Sequence, residues 1–155
     1  MAELGIDMAI ADRATRDRAA AWLGRAGVEL PAFATLANPW RLARSRVSGA
    51  PSVDPDHADP ANLFRIHWHN DRTRRVTVQL PVHLIFPAEL TGVRAPIAMA
   101  LGCFFPMIGA HKVLAAYGCL IPRLVTGRFD PAHHRAVWRS RASSAAEASR
   151  YCPKG

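Results

Sequence analysis

The stretch from Phe104 to Gly118 is the feature that most constrains how this chain can fold. Pro106 and Gly109 interrupt its first half, so a continuous helix cannot run through it and a turn is favoured. No breaker occurs from Val113 to Tyr117, and the good helix formers there predict a helix that begins near Lys112. The sequence therefore predicts a loop that leads into a helix, with a single amine at the junction.

The amine of Lys112 is the reactive group of this stretch. Its neighbours are almost all apolar, and apolar surroundings disfavour the charged ammonium form and lower the pKa of a lysine. An uncharged amine can attack a carbonyl carbon. We therefore expect a buried, uncharged amine at position 112. A solvated lysine at a helix start is the structural alternative.

The residues from Phe105 to Lys112 resemble the Schiff-base lysine segment of the fold-type II pyridoxal-phosphate enzymes. This superfamily contains the tryptophan synthase β-subunit and cysteine synthase. Further runs resemble one bacterial branch of the superfamily and follow in the same order: Asn62–Ile66, Pro87–Val93, Pro122–Asp130 and Ala136–Trp138. The resemblance thus extends from Asn62 to Trp138.

This resemblance implies an α/β fold, a partial tryptophan synthase β-like architecture with an N-terminal helical extension. It also implies pyridoxal 5'-phosphate as cofactor, with Lys112 as the Schiff-base lysine and with Lys112, His111 and Gly109 as cofactor-binding residues. The implied reaction is β-replacement or β-elimination on a small-molecule amino-acid substrate, in which Lys112 moves the α-proton. His111 is either a general acid/base or a packing residue, and no metal is expected.

The resemblance ends after Trp138. The family continues there with a glycine-rich run whose asparagine binds the phenolic oxygen of the cofactor. Residues 139–155 are instead rich in serine, alanine and arginine and contain no asparagine. The family's later half, with its phosphate-binding loop, has no counterpart in these residues. The chain therefore resembles only the N-terminal portion of such an enzyme, and a catalytically inactive truncated or frameshifted fragment is the alternative.

Composition and net charge limit which other classes of function the chain can have. The chain has 155 residues, of which 50% are hydrophobic and 21% charged, which predicts a folded domain. The net charge of +8 raises a second alternative, a basic nucleic-acid-binding module. The arginines are scattered, however, so a solvated surface is the favoured interpretation and nucleic acid is an unlikely partner.

Several features predict a cytoplasmic protein that does not enter a membrane. The longest apolar run, Ala95 to Ile108, contains Pro96, Gly102 and Pro106 and is too short for a membrane span. The first residues lack the pattern of a signal peptide. The odd number of cysteines, at positions 103, 119 and 152, fits a reducing compartment. The open edge expected of an incomplete sheet allows a homo-oligomer.

The chain divides by pattern into four segments: a helical extension (1–46), a Pro/Asp-rich linker (47–62), the lysine-bearing α/β segment (63–138) and a divergent basic tail (139–155). In the extension, Asp7 is the predicted cap of a helix that runs to Ala26 and stops at Gly27. The helix at Lys112 is predicted to end at Pro122, and Asp130 to cap another that reaches Trp138.

Alternating apolar residues from Leu63 to Trp68 and from Val76 to Leu80 predict a β-hairpin with its turn at Asn70–Arg72. His67 and His69 would share one face of that hairpin and could bind a metal ion. No third ligand follows at a suitable spacing, so a half-exposed strand face is the favoured interpretation. A further strand is predicted from Ile97 to Phe105, although Ala98–Leu101 fits a helix equally well. A strand would place Lys112 at the carboxyl end of a sheet strand.

Overall fold

The computed structural model describes residues 7–41 and 52–137. The predictions for residues 42–51, for Trp138 and for the basic tail 139–155 lie outside them. The predicted helix after Asp130 is wrong in the described residues: the N–H groups of His133 and His134 donate to the Asp130 carbonyl and close a turn, and residues 134–137 have no regular secondary structure. The described chain is a mixed α/β structure of short elements. In order they are α1 (Arg13–Arg25), α2 (Phe33–Ala37), 3-10 helices at Pro39–Arg41 and Pro60–Arg65, β1 (His83–Phe86), α3 (Ala88–Thr91), β2 (Ile97–Ala100), a 3-10 helix at Gly102–Phe104 and α4 (Lys112–Val125).

The described residues form two compact units. The first unit combines residues 7–29 with residues 114–137, and the second contains residues 30–41 and 52–113. No helix in the described ranges is long and apolar enough to cross a membrane.

Helix α1 confirms the predicted N-terminal helix but begins six residues after the predicted cap. The cap is Asp12, whose carboxylate accepts hydrogen bonds from the backbone N–H of Thr15 (3.2 Å) and from its hydroxyl (2.6 Å). These two hydrogen bonds from Thr15 to the Asp12 carboxylate cap the first turn of the helix. The helix therefore starts at Arg13 rather than after Asp7.

The end of α1 lies where the sequence predicts it. Gly27 has a φ of +64°, the left-handed conformation that favours glycine. Its N–H donates to the carbonyl of Gly24, and the N–H of Val28 donates to the carbonyl of Leu23. This pair of bonds is the Schellman motif, which satisfies the last carbonyls of a helix.

Buried residues of the first unit come from both of its chain segments. Thr15 and Ala19 of α1 are buried, as are Tyr117 and Leu124 of α4. Trp22 of α1 is more exposed and keeps 41% of its surface in solvent. The two segments are joined by main-chain and side-chain bonds: Ala11 N–H to the Thr126 carbonyl at 2.8 Å, Arg18 to Asp130 at 3.0 Å and Arg128 to Asp7 at 2.5 Å.

Helix α4 runs past Pro122 to Val125, so the prediction that Pro122 ends it is wrong. A proline inside a helix costs one backbone hydrogen bond because it has no N–H. The carbonyl of Pro122 accepts two hydrogen bonds at the helix end, from the hydroxyl of Thr126 at 2.7 Å and from the N–H of Thr126 at 3.1 Å. The helix stops immediately afterwards, at Gly127.

The second unit contains a two-stranded antiparallel sheet in which β1 pairs with β2. His83 lies opposite Ala100 and Phe86 lies opposite Ile97. All four residues of β2 are exposed. The predicted strand Ile97–Phe105 extends only to Ala100, because the chain turns into a 3-10 helix at Gly102.

The predicted hairpin over Leu63–Leu80 is wrong in its first half. Residues Pro60–Arg65 form a 3-10 helix capped by Asp59, and only the isolated bridge between Asn70 and Thr77 has the expected pairing. The amide of Asn70, which is 2% exposed, donates to the carbonyls of Arg65 and His67. These bonds curl the chain, so alternation in the sequence does not become a strand.

The described part of the Pro/Asp-rich segment is anchored by two buried polar side chains. The amide of Asn62 donates to the carbonyls of Asp54 (2.9 Å) and His57 (2.8 Å). Arg65 donates to the carbonyl of Val53 at 3.0 Å and to the side-chain oxygen of Asn62 at 2.6 Å. Residues 52–59 therefore fold against the following 3-10 helix.

Gly127 is the position at which the first unit tolerates a side chain least. Its φ is +76°, and a Cβ there would overlap the carbonyl of Asp12. We expect Gly127→Ala to lower the free energy of unfolding by about 3 kcal/mol or more, because backbone strain and overlap add. Urea denaturation measures this loss.

The matched control is Gly24→Ala, a helical glycine with no neighbouring atom within 4 Å of its Cβ position. Alanine should stabilise α1 there by up to about 1 kcal/mol. Equal effects of the two substitutions would contradict the close approach of Gly127 to Asp12.

Candidate functional site

The predicted strand, loop and helix around Lys112 are present; the strand, the loop and the first two residues of the helix belong to the second unit. β2 ends at Ala100, the loop occupies residues 101–111, and α4 begins at Lys112. The strand belongs to an antiparallel pair within the described residues, so the expected crevice at the carboxyl edge of a parallel sheet is not formed by them. The predicted order of strand, loop and helix is confirmed, whereas the sheet that contains the strand differs from the expected one.

The backbone of the loop is bent at two positions. Met107 and Gly109 have φ values of +66° and +58°, so Gly109 supplies the left-handed conformation that a turn needs here. The N–H of Met107 donates to the carbonyl of Pro55 at 2.7 Å, and that of Ile108 donates to the carbonyl of Pro106 at 2.8 Å. A bond to a residue far along the chain fixes the loop in place.

Aromatic side chains hold the two ends of the loop. Phe105 is 1% exposed, and its ring meets the edge of Trp68 with centroids 5.1 Å apart. The other contact of Trp68 is with His111, whose ring stacks on it at 5.7 Å with an interplanar angle of 22°. Trp68 therefore links the buried start of the loop to the residue that precedes Lys112.

Gly102 makes room for His111. A Cβ on Gly102 would lie 2.5 Å from Nδ1 of His111, well inside van der Waals contact. The absence of a side chain at position 102 thus allows the histidine ring to sit against both the loop and Trp68.

Lys112 is the first residue of α4, and its side chain is exposed, as is that of His111. The expectation of a buried amine at position 112 is therefore wrong in this structure. The reason is geometric, since the loop buries Phe104, Phe105 and Pro106 and turns outward after them. An exposed amine at a fixed junction can be reached by a carbonyl compound from solvent.

The predicted site residues are thus brought together only in part. Lys112 and His111 are adjacent at the surface, and Gly109 shapes the turn before them. Trp68 and Gly102 were missed as parts of this site, because the sequence indicates a strand position for the tryptophan and a simple breaker at the glycine. No periodicity could have shown that Trp68 lies beside His111.

His67 and His69 do not form a metal site with the described residues, none of which make a group of three ligands. Nδ1 of His67 already accepts from the backbone N–H of His69 at 3.2 Å. His67 is 3% exposed, and this burial, with the charge of His69 as a smaller cause, lowers its pKa to about 4. The ring is therefore a neutral structural group at neutral pH.

No family model matches this chain, and no match was found among the curated proteins or the solved structures.

Gly102→Ala should displace the imidazole of His111 from Trp68, because the new methyl group would occupy the place of Nδ1. The ring-current shift that Trp68 imposes on the protons of His111 should then be lost, which proton NMR measures. Gly118→Ala is the control, since its Cβ would meet nothing within 4 Å. An unchanged His111 signal in Gly102→Ala would contradict the stacked geometry.

The buried His67 should make the protein less stable as the pH falls from about 6.5 to about 4. In that window the unfolded chain binds a proton that the folded chain does not, so stability decreases by about 3 kcal/mol. Denaturant unfolding at several pH values measures the decrease, and no further loss from this group is expected below its folded pKa.

His67→Asn should remove this part of the pH dependence while it keeps an acceptor near the N–H of His69. The control is His57→Asn, at an exposed histidine of the same unit, which should retain the original decrease. The same decrease in both variants would show that another group is responsible.

Proposed function

We propose that this chain is the N-terminal portion of a fold-type II pyridoxal-phosphate-dependent enzyme that acts on amino acids, with Lys112 as its Schiff-base lysine. The observation that carries the proposal is the position of Lys112, at the junction of a backbone-fixed loop and a 14-residue helix. The residue runs from Asn62 to Trp138 support it by their resemblance to the superfamily.

The residues around Lys112 fit the aldehyde end of the cofactor. Lys112 is an exposed residue, and the neighbouring loop is held by Phe105, by the bond from Met107 to Pro55 and by the Trp68–His111 stack. Because the backbone at Lys112 is held in place, the side chain can take fewer directions. This restriction favours condensation with a positioned carbonyl. When bound, the cofactor supplies an electron sink for negative charge at the α-carbon.

The chain's own groups have separate roles in this proposal. Lys112 would bind the aldehyde and move the α-proton, and Gly109 would let the backbone turn close to the bound ring. His111 would keep the approach to the lysine narrow, because its ring is held against Trp68. The cofactor phosphate is held in this superfamily by a glycine-rich loop that these residues do not supply.

A second candidate is a chain that binds the aldehyde but does not turn over amino acids by itself. The exposure of Lys112 favours it, because water competes with the cofactor at an open site. The two candidates differ in one measurement, the turnover of serine, cysteine or O-acetylserine by the purified protein with added pyridoxal phosphate.

Borohydride trapping tests the assignment of Lys112. The chain has only two lysines, at positions 112 and 154, so selectivity is easily measured. After incubation with pyridoxal phosphate and reduction, peptide mass spectrometry should find Lys112 labelled at least about tenfold more than Lys154 or the N-terminal amine, because only Lys112 is expected to have a positioned carbonyl beside it.

Lys112→Arg keeps the positive charge and should abolish this label together with the visible absorption of the protein-bound cofactor. Lys154→Arg is the matched control and should leave both unchanged. Equal labelling of the two lysines in the unsubstituted protein would refute the proposed site, whichever way the turnover assay falls.

A further inference from the structure

A cavity of about 590 Å³ lies in the first unit, and none of the residues assigned above lines it. One wall is the C-terminal half of α4, with Cys119, Leu120 and Arg123. The other wall is the segment after the helix, with Phe129 and residues 133–137. The volume falls within the range of pockets that hold small molecules.

The charge of the cavity has one sign. The described residues that line it include Arg123 and Arg135 and no aspartate or glutamate. Neither guanidinium group has a hydrogen bond or an ion pair within the described part of the chain. Other arginines of the protein are paired with a carboxylate: Arg18 with Asp130, Arg74 with Asp56 and Arg128 with Asp7. Among the described residues, the cavity therefore contains two cationic groups without a counter-charge.

The segment that carries Arg135 is held by Asp130. The Asp130 side chain is 4% exposed and accepts from Nε of Arg18 and from the N–H of Ala132, both at 3.0 Å. The carbonyl of Asp130 accepts from the N–H groups of His133 and His134. These bonds fold the segment into a turn opposite α4, so the cavity does not depend on side-chain packing alone.

His134 presents a donor, and its ring has an apolar neighbour. Nδ1 of His134 accepts from the N–H of Asp130 at 3.0 Å, so the proton of the neutral ring is on Nε2. The ring of Phe129 meets that of His134 with centroids 5.6 Å apart. Phe129, Leu120 and Val137 give the lining an apolar part beside its cationic part.

We propose that this cavity is a binding site for a small molecule that joins an anionic head group, a phosphate or a carboxylate, to an apolar or aromatic body. Guanidinium groups match the oxygen geometry of both head groups and bind them by paired hydrogen bonds. Phe129 and Leu120 would contact the body. A neutral or cationic ligand would leave Arg123 and Arg135 without a counter-charge.

Phenyl phosphate is a suitable probe because it has the head group and the aromatic body but no carbonyl. It cannot react with Lys112, so its behaviour is independent of the function proposed above. Isothermal titration at fixed ionic strength should show that phenyl phosphate binds more tightly than inorganic phosphate and more tightly than benzyl alcohol. Benzoate in the same titration distinguishes a carboxylate from a phosphate site.

Arg123→Gln and Arg135→Gln should each weaken the binding of phenyl phosphate about tenfold, since each removes charge-assisted hydrogen bonds. Arg25→Gln is the control: Arg25 is an exposed arginine of the same unit that does not line the cavity. Circular dichroism checks that each variant is folded. Equal weakening in all three variants would show attraction to net charge and would overturn the site.

Cys119 gives a second readout because its free, exposed thiol lines the cavity. Saturating phenyl phosphate should slow the alkylation of Cys119, as followed by mass spectrometry of its peptide, and should not do so in the Arg123→Gln/Arg135→Gln double variant. Alkylation at the same rate with and without the probe, or tight binding of benzyl alcohol, would overturn the proposal.

Discussion

The backbone of the loop before α4 is the constraint on which the candidate lysine site depends. Positive φ values at Met107 and Gly109 turn the chain outward after the buried Phe105, and the bond from Met107 to Pro55 fixes that turn. Helix α4 can then begin at Lys112. The same loop brings His111 against Trp68, which is possible only because position 102 has no side chain.

Buried polar side chains organise both units where regular secondary structure is sparse. In the second unit, Asn62, Arg65 and Asn70 donate to backbone carbonyls that no strand or helix satisfies. In the first unit, Asp130 has the same role for backbone N–H groups. Unpaired backbone groups are costly when they are buried, so short elements joined by long turns need such side chains.

The amine of Lys112 and the cationic cavity are separate features with different chemistry. An exposed amine on a fixed loop is suited to a carbonyl compound, which it can bind covalently. Two guanidinium groups that have no counter-charge among the described residues are suited to an oxyanion, which they bind without a reaction. Arg18, Arg74 and Arg128 pair with aspartates, which neutralise their charge. A positive net charge of the chain therefore does not by itself create an oxyanion site.

Local signals in the sequence determined the elements whose hydrogen bonds close within a few residues. The end of α1 at Gly27 and the start of α4 at Lys112 were predicted because each depends on breakers, caps or propensities of neighbouring residues. The cap of α1 was misplaced from Asp12 to Asp7, since either aspartate could have accepted the first N–H groups.

Only the tertiary structure decided the features that depend on distant residues. The alternation over Leu63–Trp68 predicted a strand, but bonds from Asn70 curl the chain instead. The exposure of Lys112 and the stacking of His111 on Trp68 follow from how the loop folds back on Pro55. A pattern of residue types specifies which face of an element is apolar. Whether that face is buried depends on another segment of the chain that packs against it. The local pattern contains no information about that segment.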